Sequence, residues 1–411
     1  MHSRARWRLP AATDDSSVKP CPRGAASVRI LVLSEAFRSL GGVQEVVDNL
    51  AAELESAGHQ VAVFSTPPVD GRQRVTRFFG EYREIEIPSR RPVTLRHLER
   101  LWQPGLSAGI KRLGAAISAW QPQIVSSHCW AWDRFPAVVA ACRDTGVPLV
   151  HSLYDSWGAG RMGTDALRCL EGAAALTALS AATRDFFAQL LPSARTAPVI
   201  TGGVDPDGPR HAAPPAHPRP YIFCAARLDL RHKAIDALIE AFATLAAEYP
   251  DVDLLIGGDG PDRSMLESMA VSAGLDDRIK FAGIAARPEL WSLYRHALLF
   301  AMPSRMPEGL GLVFLEAMAC ATPVIGTRSG GTPEIVDHDR TGLLVDNNTP
   351  AELASAIRKL LDDPQKRHRM GEHAREAVAR YSWRQFARRY LEVYSSCPGV
   401  NAVEPQPATR R

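Results

Sequence analysis

Val28–Ser34 (VRILVLS) is an apolar run of the length of a buried strand. After a Gly41-Gly42 turn, Val43, Val46, Val47, Leu50, Ala51 and Leu54 recur at helical spacing. Gly58 closes that helix and Gln60–Ser65 is the next strand, so a βαβ unit opens the chain. Gln123–His128 and Val147–His151 read as two further strands, each ending in a histidine, and Leu176–Ser180 with the helix Thr183–Leu191 as the last strand and helix of this half. The second half repeats the alternation. Tyr221–Ala226 is a strand, and Ile235, Leu238, Ile239, Phe242, Leu245, Ala246 and Tyr249 lie on one helix face. Strands follow at Asp253–Gly257, Ile279–Gly283, Leu298–Met302, Thr322–Ile325 and Gly342–Val345, and Leu353, Ile357, Leu360 and Leu361 mark a later helix.

This alternation predicts an α/β protein. A chain of 411 residues exceeds what one core usually supports, which predicts two domains. The six prolines of 206–220 have the composition of a linker and divide residues 28–205 from residues 221–380. Residues 1–27, rich in Arg, Pro, Ser and Ala, read as a disordered leader, and 399–411 as a disordered tail.

Composition narrows the classes. With 45% hydrophobic and 23% charged residues the chain is an ordinary globular protein, and a net charge of +3 does not suit a dedicated nucleic-acid binder. No run of 18 apolar residues predicts a membrane span. The 7 scattered cysteines lack a CxxC pair and read as reduced core residues of a cytoplasmic protein rather than metal ligands. Around Arg90, Arg91, Arg96, Arg100, Lys111 and Arg112 an amphipathic basic surface (90–112) is either a solvated helix face or a contact with an anionic membrane surface.

The chemistry concentrates in residues 303–334. Glu308 and Glu316 stand eight positions apart, with Gly309-Leu310-Gly311 after the first and an apolar run before the second. Such a loop entering a helix offers backbone amides to an anion or a sugar hydroxyl, although most glycine-rich helix starts are only turns. Glu316, two helical turns on, faces the same side and can accept bonds from a diol such as ribose. A second glycine turn, Gly330-Gly331-Thr332-Pro333-Glu334, follows the Pro323-Val324-Ile325 strand. Arg227 and Lys233, between a strand end and a helix start, are placed for a diphosphate or form a simple basic loop. Asp251-Val252-Asp253 resembles a metal-binding triplet but precedes its strand, whereas ligands gather at carboxyl ends.

Glu308, seven residues, Glu316, the Pro-Val-Ile strand and the Gly-Gly-x-Pro-Glu turn resemble the signature of the family-4 glycosyltransferases of GT-B fold. The resemblance spans about 28–395 and is strongest from 221 to 350. It implies a GT-B architecture: two Rossmann-like doubly wound domains facing across a cleft, with a C-terminal helix (381–398) crossing back to the first. The implied activity is retaining transfer of a sugar from a nucleoside-diphosphate sugar to an unknown hydroxyl acceptor, with no cofactor and no metal. Carried over by resemblance, Arg227 and Lys233 neutralise the diphosphate, Glu308 holds the donor sugar and His151 is a cleft histidine. Gly42, Gly309, Leu310, Gly311 and Glu316 contact the donor, Gly283 and Ile284 hold its base, and His128 and Gly203 line the cleft.

The sequence departs from the family pattern in three places. Ser152 stands where an Asp usually follows the histidine, Thr201 replaces the hinge Asn before Gly202, and Met306-Pro307 lengthens the loop before Glu308. These departures leave room for a silent binding subunit; a nucleotide-sugar 2-epimerase of similar fold is the other alternative, against which Arg227, Lys233 and the Glu308–Glu316 pair favour transfer. Between a covalent intermediate on Glu308 and front-face attack assisted by the leaving phosphate, the resemblance favours the second, and the residues do not decide.

Overall fold

The computed structural model describes residues 27–35, 42–66, 73–78, 85–87, 113–114, 116–128, 135–154, 164–205, 208, 213–215 and 217–400. Two open sheets carry it. The first has seven strands in the order β4-β3-β2-β1-β5-β6-β7: β1 (Arg29–Glu35), β2 (Gln60–Thr66), β3 (Gln73–Phe78), β4 (Ile85–Ile87), β5 (Ile124–Ser127), β6 (Leu149–Leu153) and β7 (Ala175–Ala178). The second has six in the order β10-β9-β8-β11-β12-β13: β8 (Tyr221–Ala225), β9 (Asp253–Gly257), β10 (Ile279–Gly283), β11 (Leu299–Met302), β12 (Val324–Thr327) and β13 (Gly342–Val345). The order reverses direction between β1 and β5 in one sheet and between β8 and β11 in the other, and ligands of doubly wound sheets collect at such switch points. The chain is α/β, with two Rossmann-like sheets.

All neighbours pair in parallel except β2–β3 and β3–β4, which are antiparallel. That ribbon falls in a stretch whose apolar positions follow no clear period, so the sequence does not announce it. Parallel strands covered on both faces are mostly apolar, and β5, β6, β8, β9 and β11 are buried at every position, their few polar residues included.

In the second domain the rings of Phe223, Tyr294, Phe300 and Phe314 form a chain with centroids 5.2, 5.3 and 5.7 Å apart. Phe314, fully buried, anchors the helix Leu312–Ala319 to this chain and so fixes the loop before it.

The helix Trp383–Ser395 belongs to the end of the chain but packs on the first domain. Tyr390 Oη lies 2.8 Å from Ser152 Oγ, and Tyr394 donates to Ser126 Oγ at 2.7 Å. Val204 N–H donates to the Tyr381 carbonyl at 2.9 Å, and Gly203 is pressed against the Trp383 backbone with no room for a side chain. The 206–220 segment is tied to the second domain where it is described: His217 Nε2 is 3.0 Å from Asp253 Oδ2. The tail extends its packing to Val400, which is buried. Residues 1–26, 90–112 and 401–411, with the leader and basic surface read there, lie outside the described residues. Among the described residues no helix is long and apolar enough to cross a membrane.

Candidate active site

Three loops meet at the carboxyl edge of the second sheet. The first runs from β8 through Arg227 to Lys233. Its course is set by backbone bonds, Leu228 N–H to Asp259 O at 3.0 Å and Lys233 N–H to Asp229 O at 2.9 Å, and by the buried Asp229 carboxylate. Arg231 Nη2 at 2.8 Å and His232 Nδ1 at 3.2 Å hold that carboxyl well below its usual range, Arg231 having the larger effect. Arg227 is exposed, at the sheet edge.

The second loop follows β11. Lys233 Nζ donates to Glu308 Oε1, the Ser304 hydroxyl donates to the same oxygen, and Ser304 Oγ lies 3.4 Å from Lys233 Nζ. An ammonium, a hydroxyl and a carboxylate thus form one cluster, with side chains 16% and 18% exposed at Lys233 and Glu308. Gly311, with φ of 88°, occupies the left-handed region and starts the helix Leu312–Ala319. Among the described residues the N–H groups of Gly309, Leu310 and Gly311 have no acceptor. Unpaired donors at a helix start attract negative charge.

The third loop, Gly330-Gly331, lies behind the second. Gly331 N–H donates to the Glu308 carbonyl at 2.8 Å, and Gly330, with φ of 57°, abuts the Glu308 backbone. Across from them stands Gly42, the exposed first residue of the helix Gly42–Ser56, where an added Cβ would come 3.8 Å from Leu312 Cδ1. Gly42 in the first sheet's half therefore faces Leu312, the residue after the 309–311 turn. Gly283, with φ of 69°, ends β10 and its carbonyl accepts the Gly258 N–H at 2.6 Å; Ile284 beside it is 56% exposed.

Four expected site residues stand elsewhere or are differently engaged. β6 runs on to Leu153, so His151 lies mid-strand, wholly buried, with Ser127 Oγ 3.2 Å from its Nδ1 and the Phe135 ring edge-on at 4.2 Å. His128 does follow its strand, but Tyr154 at 2.5 Å, Ser126 at 2.9 Å and the Tyr390 ring enclose it, so it does not line an open cleft. Burial pushes both imidazoles down to about 3, His128 adding to the effect on His151. Gly203 serves the close approach to Trp383 instead of a cleft wall. Glu316 does not stand open for a ribose: it is buried, accepting from Arg287 Nη1 at 2.6 Å and from Tyr294 Oη at 2.7 Å. Burial raises its pKa, against the opposing pull of Arg287 and Tyr294.

Arg287 and its second partner, Glu45 in the Gly42–Ser56 helix, were not foreseen. No motif marks either residue, and 242 positions separate them.

The chain matches two family models end to end, Glycosyltransferase Family 4 over residues 40–207 and Glycosyl transferases group 1 over residues 210–377. It belongs to the family-4 glycosyltransferases of GT-B fold. A relative in this family is the GDP-mannose-dependent alpha-(1-6)-phosphatidylinositol monomannoside mannosyltransferase of Mycolicibacterium smegmatis, 29% identical over 89% of this chain and 98% of that one. The D-inositol 3-phosphate glycosyltransferase of Corynebacterium urealyticum is 38% identical over 44% of this chain, and the match spans only 43% of that relative's length. A match to the mannosyltransferase of Mycobacterium tuberculosis spans 62% of its length at 35% identity. Among solved structures, the sucrose-phosphate synthase of Thermosynechococcus elongatus superposes with a TM-score of 0.73 at 22% identity, over 89% of this chain and 98% of that one. The Anabaena HepE protein in complex with UDP-glucose gives a TM-score of 0.67 at 22% identity, over 90% and 100%. Both show the fold that this family member shares.

Proposed function

We propose that the protein transfers a sugar, with retention at the anomeric carbon, from a nucleoside-diphosphate sugar to an acceptor hydroxyl. The observation that carries this reading is the Lys233–Glu308–Ser304 cluster beside three unpaired amides, at the carboxyl edge of the second sheet. Breaking the C1–O bond sends its electron pair to the β-phosphate, so the dominant requirement is fixed positive charge and N–H donors at the departing oxygen. Arg227, Lys233 and the 309–311 amides supply them. Glu308, already accepting from Lys233 and Ser304, is suited to hold sugar hydroxyls, which favours front-face attack over a covalent intermediate. The acceptor oxygen attacks C1 from the face the phosphate leaves, and its proton passes to that phosphate. Gly283 and Ile284 border the base, and Glu316 takes the ribose once Arg287 yields it.

His151 and His128 have no place in this chemistry, because both are sealed inside the first domain. Metal independence is part of the proposal, the cations being protein side chains. The names of the relatives support GDP-mannose as the first donor to try and an inositol-bearing polyol as the acceptor class.

Thermal-shift screening of UDP-, GDP-, ADP- and TDP-sugars tests the reading. A donor at 100 times its dissociation constant adds about 2.7 kcal/mol of stability. No shift with any of the four would remove the donor site from the second domain.

A further inference from the structure

The carboxylate of Glu308 is held at one oxygen only. Its Oε1 accepts from Lys233 Nζ and from the Ser304 hydroxyl, while among the described residues its Oε2 has no donor. Ser304, wholly buried, is itself fixed by two residues from later in the chain. Its N–H donates to Thr327 Oγ1 at 2.9 Å, and its carbonyl accepts from Asn348 Nδ2 at 2.9 Å. The Thr327 hydroxyl donates in turn to Asn348 Oδ1. These three bonds close a ring through the Ser304 backbone, and the Asn348 amide serves it with both ends.

The strands beneath do not need this ring to align. β11 and β12 pair in register from Phe300 with Val324 to Met302 with Gly326, and β12 and β13 from Val324 with Gly342 to Thr327 with Val345. Ser304 and Asn348 both lie past the ends of their strands. Asn348 is brought back over the sheet edge at φ of 53°, in the left-handed region that asparagine tolerates. Glu352 locks that turn by accepting the Asp346 and Asn347 N–H groups at 2.6 and 2.9 Å, and Thr349 caps the helix Pro350–Leu361 that carries it. A serine hydroxyl rotates to suit its surroundings, so the acceptor it finds depends on where its backbone is held.

We infer that Thr327 and Asn348 are positioning residues for sugar transfer: by fixing Ser304 they aim the Glu308 carboxylate, with Oε1 toward Lys233 and Oε2 left for the hydroxyls of the donor sugar. The inference rests on the reading of Glu308 as the residue that holds that sugar. A nucleoside diphosphate without the sugar has no hydroxyl to offer Oε2, so its binding does not need the ring. Transfer from the whole donor does, because a displacement of about 1 Å can cost on the order of 100-fold in rate.

Thr327→Val removes both bonds of the hydroxyl at nearly constant volume, and Thr327→Ser restores them. Asn348→Gly removes the amide and keeps the left-handed turn; the residue is half-buried, so this variant tests the ring even where Thr327→Val does not fold. Glu308→Gln is the control for the underlying reading. Each protein is melted, titrated with GDP and UDP by calorimetry, and assayed for diphosphate release from GDP-mannose and UDP-glucose with inositol 3-phosphate as acceptor. In Thr327→Val and Asn348→Gly, kcat/KM for the donor that wild type uses should fall by roughly 10- to 100-fold with diphosphate affinity unchanged, and Thr327→Ser should recover most of the loss. Near-native kcat/KM in both ring variants, with Glu308→Gln impaired, overturns the inference and leaves the sugar-holding role of Glu308 standing. A parallel fall in diphosphate affinity also overturns it, since the ring would then serve the fold of the whole site. Full activity in Glu308→Gln, or no release from either donor by wild type, overturns both.

Discussion

The Gly330 Cα sits against the backbone of Glu308, so closely that a Cβ built there would overlap the Glu308 carbonyl oxygen. Two glycine turns 21 positions apart are in this way packed into one support for the carboxylate, and Gly331 completes it with its N–H on the same oxygen. Gly330→Ala therefore meets both a clash and the left-handed strain of φ 57°, which costs an alanine about 1–2 kcal/mol. A modest fall in melting temperature is expected, with a far larger loss of sugar transfer as Glu308 is displaced. Equal activity in the variant would show that the position of Glu308 is not what the turn maintains.

Arg227→Ala and Lys233→Ala should each lower turnover on the order of 100-fold, the usual effect of removing one donor to a developing anion. Arg227 is exposed and supports no core contact, so its variant should melt as wild type does. Lys233→Ala also removes a bond from Glu308 and should raise the donor KM as well. Near-native turnover in both would place the diphosphate elsewhere.

Much of this was legible in the sequence. The strands Asp253–Gly257 and Gly342–Val345, buried at every position, have the bounds their largely apolar runs predict, and so does the edge strand Ile279–Gly283, where Lys280 and Ala282 are exposed. Glycine spacing likewise located the loops at 309–311 and 330–331. Pairings between distant segments were not legible. His128 and His151 have the pattern of cleft residues, but Phe135 covers one and Tyr154 and Tyr390, the latter from the far end of the chain, cover the other. Glu316 read as free because Arg287 opens the helix Arg287–His296, which carries no motif.

The same two histidines make the fold sensitive to acid. Their pKa values, pushed down to about 3 by burial, lie below the ordinary 6.5, so between these limits the unfolded chain takes up protons that the folded one refuses. Their contribution is complete above about pH 6.5 and is lost as pH falls toward 3, by about 1.4 kcal/mol per pH unit for each group. Urea unfolding at pH 7 and pH 5 should show this loss in wild type and less of it in His151→Asn. A wild-type stability that is flat or rising from pH 7 down to pH 5 would contradict it.

Activity should be the same in excess EDTA as with added magnesium or manganese. Asp253, the second carboxylate of the Asp-x-Asp triplet, opens β9 at its amino end, about 15 Å from the ligand edge. His217 at 3.0 Å and Arg278 at 3.4 Å already engage its carboxylate. Abolition by EDTA with rescue by either metal would mean that the diphosphate is neutralised by something other than Arg227 and Lys233.

The most direct measurement is the anomeric configuration of the transferred sugar. With the donor found by thermal shift and an inositol-bearing acceptor, the one-bond C1–H1 coupling of the product by NMR reports it, alongside the nucleoside diphosphate released. One diphosphate released per glycosylated acceptor and a product with the donor's own anomeric configuration are expected. An inverted product, or diphosphate released with no glycosylated acceptor formed, would contradict it.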